Sequence, residues 1–190
     1  MKMNVLKGTL ALTVILTLVA FTNTIEKKKV NIKESTIQWE GEKLTGSHEG
    51  TIDLKDGFFL MENGELVGGE FTADMTTIDV TDLEGDNRDK LMGHLRSDDF
   101  FGVDKYETAK FVIKTVAKKG NVYGVSGDLT IKGKTNPIAF DMKMNENSAT
   151  TNLTIDRTKY DVRYGSNSFF DNLGDKAIYD EFDLAVNLKF

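Results

Sequence analysis

The chain has 190 residues, is 39% hydrophobic and 28% charged, and carries a formal net charge of −6. That length allows one domain with a substantial core. The negative charge excludes an electrostatic partnership with nucleic acid or an anionic membrane, and the lack of cysteine excludes disulfides and thiolate metal sites.

The N-terminal segment differs from the rest. Lys2 and Lys7 supply positive charge, Leu10 to Phe21 run without a charge, and Thr22-Asn23-Thr24 follow. A run this short suits a signal-peptide core better than a membrane span. Residues 1–24 are read as a signal peptide and 25–190 as the mature domain, with an uncleaved anchor as the alternative. Export without cysteine points to a bacterial periplasm or the surrounding medium.

Glu26 to Lys29 reads as a charged, frayed leader. Beyond it the apolar period is mostly two. Ile37 and Trp39 alternate with polar neighbours, as do Ile52 and Leu54. Asn63-Gly64 is a hairpin signal between two apolar runs. At Gly68-Gly69 the apolar phase shifts, from Leu66 to Phe71 and Ala73, as a bulge requires. Asp86 to Leu95 has Leu91 and Leu95 one helical turn apart and reads as a helix. Gly120-Asn121 and Asn145 to Ser148 read as turns. Ile138, Phe140, Met142 and Met144 alternate again, and so do Phe182, Leu184, Val186, Leu188 and Phe190. Ser168 to Leu173 reads as a helical turn stopped by Gly174. The pattern predicts an all-β domain, an antiparallel barrel or sandwich.

The stretch "GHLRSDDFF", residues 93–101, gathers the groups that most invite a catalytic reading. His94 with Asp98 makes an incomplete metal site, and Ser97 lacks the Gly-x-Ser-x-Gly elbow of a nucleophile. Ser97-Asp98-Asp99 reads instead as a helix break and a new N-cap, with Asp98 aimed at backbone N–H groups. No phosphate loop, dinucleotide fingerprint or His-Glu-x-x-His motif is present. The glycines around His48 are explained by close backbone approach. We therefore assign no catalytic residue, no metal and no cofactor.

The aromatic residues point elsewhere. Phe100, Phe101, Phe169 and Phe170 form two Phe-Phe pairs beside non-strand segments. They either line an entrance to a barrel or plug its end. Trp39, Phe71, Phe111, Phe140 and Met142 join them as the candidate lining of an apolar pocket. Arg157 shares phase with Leu153 and Ile155, so it either points inward, to grip a polar head group or to pair with an aspartate, or sits where that strand ends.

Four segments carry a resemblance to the YceI-like, polyisoprenoid-binding proteins. They are "WEGEKLTGSHEGTIDL" (39–54), "GGEFTADMTTIDVTDL" (68–83), "KLMGHLRSDDFFGVDKYETAKF" (90–111) and "DRTKYDVRYGS" (156–166). The third is the most specific. Arg96 stands where the family commonly has Lys, and Glu107 where it often has Pro. The resemblance implies an extended lipocalin-like antiparallel β-barrel of about eight strands, with one or two short helices near one end. It implies a non-catalytic, periplasmic or secreted carrier for a long-chain isoprenoid, a quinone or a fatty-amide-like lipid. Transient membrane contact and a homodimer are compatible with it. The rival readings are an enzyme using His94 and Asp98 or Asp99, and an exported interaction domain with a filled barrel.

Overall fold

The computed structural model describes residues 24–190. The expected signal segment therefore lies almost wholly outside the described residues. Nine strands and one α-helix follow in chain order. The strands are β1 (Ile25–Lys29), β2 (Thr36–Lys43), β3 (Gly46–Glu62), β4 (Glu65–Val80), β5 (Thr108–Lys119), β6 (Val122–Ile131), β7 (Lys134–Met144), β8 (Ser148–Asp156) and β9 (Ile178–Lys189). The helix α1 (Gly85–Arg96) lies between β4 and β5.

Strands β2 to β9 form a closed antiparallel meander in which each pairs with its neighbours in sequence and β9 returns to β2. This is the predicted eight-stranded barrel. Closure removes free sheet edges, so one face of every strand turns inward. The alternation in the sequence supplies that face. The hairpin turn is where Asn63-Gly64 places it, with φ of 53° and 80°, as a two-residue turn of matching twist requires. The register slips beside Val67, between Leu60↔Gly68 and Met61↔Leu66, which is the bulge signalled by the phase shift.

Long links gather at one end of the barrel. There α1 and residues 97–107 join β4 to β5, and residues 157–177 join β8 to β9. Tight turns close the other end. Each end has its own packed cluster. Leu95 of α1, Phe100, Phe101, Val103, Tyr160 and Val162 cap the helix end. At the turn end Phe59 is fully buried and meets Phe71 and Phe190 edge-on at 4.9 and 5.1 Å.

Three local readings are corrected. The charged leader is not frayed: residues 25–29 form β1, paired with Phe58 to Glu62 of β3. β3 is 17 residues long and β2 only 8, so the far part of β3 has an edge β2 does not reach. The lysine stems then cover aromatic faces, with Lys27 Nζ 3.5 Å from the Phe58 ring centre and Lys28 Nζ 4.4 Å from that of Phe190. Ser168 to Leu173 is not helical; a short 3₁₀ turn begins at Gly174 rather than ending there. Ser97 closes α1 instead of opening a new helix, its Oγ donating to the His94 carbonyl at 2.7 Å.

Gly50 shows why a small residue sits after His48. A Cβ at Gly50 would lie 1.8 Å from the Asp79 carbonyl oxygen and 2.7 Å from the Trp39 ring. The bare backbone lets the indole lie flat against β3, and its Nε1 donates to that same carbonyl at 3.1 Å. His48 itself pairs with Asp82 at 2.8 Å.

Candidate functional site

Between the two end clusters the barrel is hollow. The cavity has a volume of about 200 Å³ and runs from Met142 and Leu188 near the turn end to Ile131, Phe100 and Arg157 near the helix end. An apolar cavity of ~150 Å³ already stays dry and accepts a small hydrocarbon. The barrel is therefore not filled. Of its wall, only Lys110, Thr151, Arg157, Tyr179 and Glu181 carry strongly polar groups.

Among the residues singled out by sequence, Trp39, Phe71, Phe100, Phe101, Phe111, Phe140 and Met142 stand on this wall, with Arg157. Of the two roles open to them, Phe100 and Phe101 take the second: each is over nine-tenths buried, and together they close the helix end of the cavity they line rather than frame an entrance to it. Phe169 and Phe170 do not line it. They are 44% and 50% exposed, because their segment turns outward and Phe169 lies under the Arg163 guanidinium, 4.7 Å from its ring centre. The majority of the wall is aliphatic and lay outside the aromatic candidates, including Ile52, Ile113, Val125, Leu129, Leu153 and Leu184. Their inward phase on each strand was the signal that would have found them. Ala73 and Ala109, register partners across β4 and β5, both face the cavity and leave it room.

Arg157 is the first residue after β8, where the strand gives way to a 3₁₀ turn, and its side chain is 2% exposed and stands on the cavity wall, so both placements left open by the sequence apply. Its partners are mainly main-chain carbonyls: Nε to Tyr179 at 2.9 Å, one terminal nitrogen to Val162 at 2.7 Å, the other to Ile178 at 3.0 Å. Asp180 Oδ1 stands 3.7 Å away, and the Phe100 ring centre lies 5.5 Å from the guanidinium carbon. The head thus ties the two ends of the β8–β9 link together. Burial pulls its pKa down, with Asp180 and Asp156 opposing. Burial also acts to raise the Asp180 carboxyl, but hydrogen bonds from Ser166 and Ser168 and the charge of Arg157 outweigh it, so its pKa falls. Burial first, then Asp156, push the Tyr160 hydroxyl up to about 12.

Of the groups in the enzyme reading, Asp98 is engaged by Lys105, and Asp99 acts on His94 through its charge. Asp98 pairs with Lys105 at 2.6 Å on the surface, away from the backbone N–H groups expected to receive it. His94 stands edge-on to Phe100 and Tyr164, at 5.3 and 4.3 Å between ring centres, and its buried Nε2 has no hydrogen-bond partner. Among the described residues, no group of three or more His, Asp or Glu is placed to hold a metal.

Burial lowers the pKa of His94, aided by Arg157 and opposed by Asp99. Folding therefore favours the neutral ring. The unfolded chain takes up the proton more readily, so this contribution is complete above about pH 6.5 and is lost as pH falls toward the folded-state pKa. Urea midpoints measured from about pH 7.5 to pH 5 should decline over this window. His94→Phe, which keeps the ring contacts, should flatten that part of the decline; an unchanged slope would assign it to other groups.

A closed antiparallel barrel with an apolar bore and a helical cap defines a class of proteins built around an internal apolar site. The YceI-like domain family matches residues 28–190, and the chain belongs to that family. Among curated relatives, a UPF0312 protein of Photorhabdus laumondii is 41% identical over 70 residues, 36% of this chain and 35% of the relative. Protein YceI of Escherichia coli is 34% identical over 95 residues, 50% of this chain and 48% of the relative. The matched stretches thus span about half, or less, of these relatives. Two solved structures share the fold. BcnA of Burkholderia cenocepacia superposes with a TM-score of 0.64 at 22% identity, covering 84% of this chain and 98% of that one. A polyisoprenoid binding domain from Saccharophagus degradans gives 0.60 at 13% identity, covering 87% and 97%.

Proposed function

We propose that the protein is an exported carrier that sheathes the hydrocarbon tail of a long-chain isoprenoid or similar amphiphile and performs no chemistry on it. The observation that carries this reading is the long, almost wholly apolar cavity. The polyisoprenoid named for the Saccharophagus degradans domain is consistent with it. No helix among the described residues is long and apolar enough to cross a membrane. The N-terminal apolar run supports a periplasmic or secreted location.

Energetics favour exchange with a membrane over capture from water. Burial yields about 0.8 kcal/mol per CH₂, so roughly 4 kcal/mol per isoprene unit leaving water. About eight such units would exceed the observed ceiling near 21 kcal/mol for non-covalent binding. In a bilayer the tail is already dry, so transfer is nearly balanced and reversible. Beside the wall at β2, β8 and β9 stand Glu40, Glu42, Asp156 and Asp183. These carboxylates favour a neutral head, such as an alcohol, quinone or amide, over a pyrophosphate.

Trp39 is the only tryptophan and stands on the cavity wall. Parinaric acid, a linear tetraene that absorbs where tryptophan emits, should light up on tryptophan excitation when mixed with the protein. Geranylgeraniol should displace it better than geranylgeranyl pyrophosphate. No energy transfer at any ratio, from parinaric acid or from its uncharged methyl ester, would refute the carrier reading.

A further inference from the structure

The barrel wall is not equally sealed all round. Strands β6 and β7 are in register from Val122↔Lys143 to Ile131↔Lys134, and β8 and β9 from Ser148↔Lys189 to Asp156↔Glu181. Between β7 and β8 the register holds only at Lys143↔Thr150 and Met144↔Ala149. Toward the helix end the two strands part. Two side-chain bonds clasp the gap. Thr151 Oγ1 donates to the Asp141 carbonyl at 2.7 Å, and Asn136 Nδ2 donates to the Lys159 carbonyl at 2.8 Å. About four residues of β7 lie between the clasps, a slit about 13 Å long at the usual strand rise. The chain's only proline, Pro137, lies in this stretch. Proline cannot donate to a ladder and belongs at edges.

The slit opens onto the cavity. Ile138 and Phe140 on one bank, and Thr151 and Leu153 on the other, line the bore. Both barrel ends, by contrast, are packed with buried side chains. We infer that the β7–β8 slit is a lateral portal, through which a hydrocarbon tail passes sideways between bilayer and bore. The inference rests on the carrier reading. A slit parallel to the bore admits a tail along its length, so the tail need not thread past Phe100 and Phe101. Opening breaks two side-chain bonds rather than a backbone ladder, which makes this the weakest seam of the barrel.

The absence of cysteine makes a direct test simple. Ala139→Cys and Asn152→Cys place the only two thiols on exposed positions of β7 and β8, outside the lining. A short dithiol-bridging reagent applied to the folded double variant should slow transfer of parinaric acid from phosphatidylcholine vesicles to Trp39 by about tenfold or more, as pinning a gate does. The final extent of binding should not change. Asn136→Ala, which removes one clasp, should speed transfer several-fold at the same final extent. Equal rates in the bridged, unbridged and Asn136→Ala proteins would overturn the portal and leave the carrier reading standing. If the untreated protein takes up neither parinaric acid nor its methyl ester, both fall.

Discussion

Ala109→Phe should weaken parinaric acid binding by about a hundredfold while the barrel stays folded. Ala109 and its register partner Ala73 face the cavity from β5 and β4. A phenyl ring there would occupy space that the tail needs. Displacing about four methylenes at roughly 0.8 kcal/mol each costs about 3 kcal/mol of binding, which is two orders of magnitude in affinity. The new ring enters a void rather than a packed core, so the 1–3 kcal/mol of strain that is usual for overpacking should be largely absent. The urea midpoint should hold or rise. Energy transfer from Trp39 reads the binding, and urea unfolding reads the fold. Unchanged affinity in a folded variant would mean that the tail does not run along this part of the bore.

Arg157→Ala should be the most damaging single change to stability. The guanidinium bonds three main-chain carbonyls and faces Asp180, with almost no solvent access. Its removal leaves those acceptors and a carboxylate without their cation, which costs about 3–5 kcal/mol for a broken buried pair. With a slope of about 2 kcal/mol per molar urea, the unfolding midpoint should fall by roughly 2 M. Arg157→Lys should not restore it, because one ammonium cannot reproduce a planar fork aimed at three separate carbonyls. A loss below ~1 kcal/mol together with weakened ligand binding would instead mark Arg157 as a contact for a polar head.

Much of the barrel was legible because its inner face is written in a period of two. The runs from Ile138 to Met144 and from Phe182 to Phe190 declare which side faces in, and Asn63-Gly64 declares the turn. The helix was legible from Leu91 and Leu95. The β1 strand was not, because nothing local makes Lys27-Lys28-Lys29 a strand. It forms by pairing with a part of β3 that outruns β2, and lysine stems over Phe58 and Phe190 hold it. The two Phe-Phe pairs looked alike in sequence and part company in space. One is buried under α1, while the other lies on an outward loop. A dipeptide has no period, so its direction is set by tertiary packing alone. The slit had a single signal, Pro137 within a strand pattern, whose consequence depended on knowing that β8 was the neighbour.

Strand phase left Arg157 either turned inward or at the end of β8, and it lies at that end with its head buried. The alternation on β8 allows an inward side chain. It says nothing of the chain beyond β8, whose carbonyls at Val162 in the link and at Ile178 and Tyr179 in β9 receive the guanidinium. Sequence separations of this kind are bridged by loop geometry, which carries no periodic signature.

Native mass spectrometry of the protein purified from a bacterial host, sprayed under gentle conditions, reports bound mass and subunit count together. A carrier should retain a neutral adduct of isoprenoid or long-chain amphiphile mass, one per barrel, that is shed on unfolding and largely absent from Ala109→Phe. A spectrum of bare protein that stays bare after incubation with geranylgeraniol-loaded vesicles would contradict a bore built to sheathe a lipid tail.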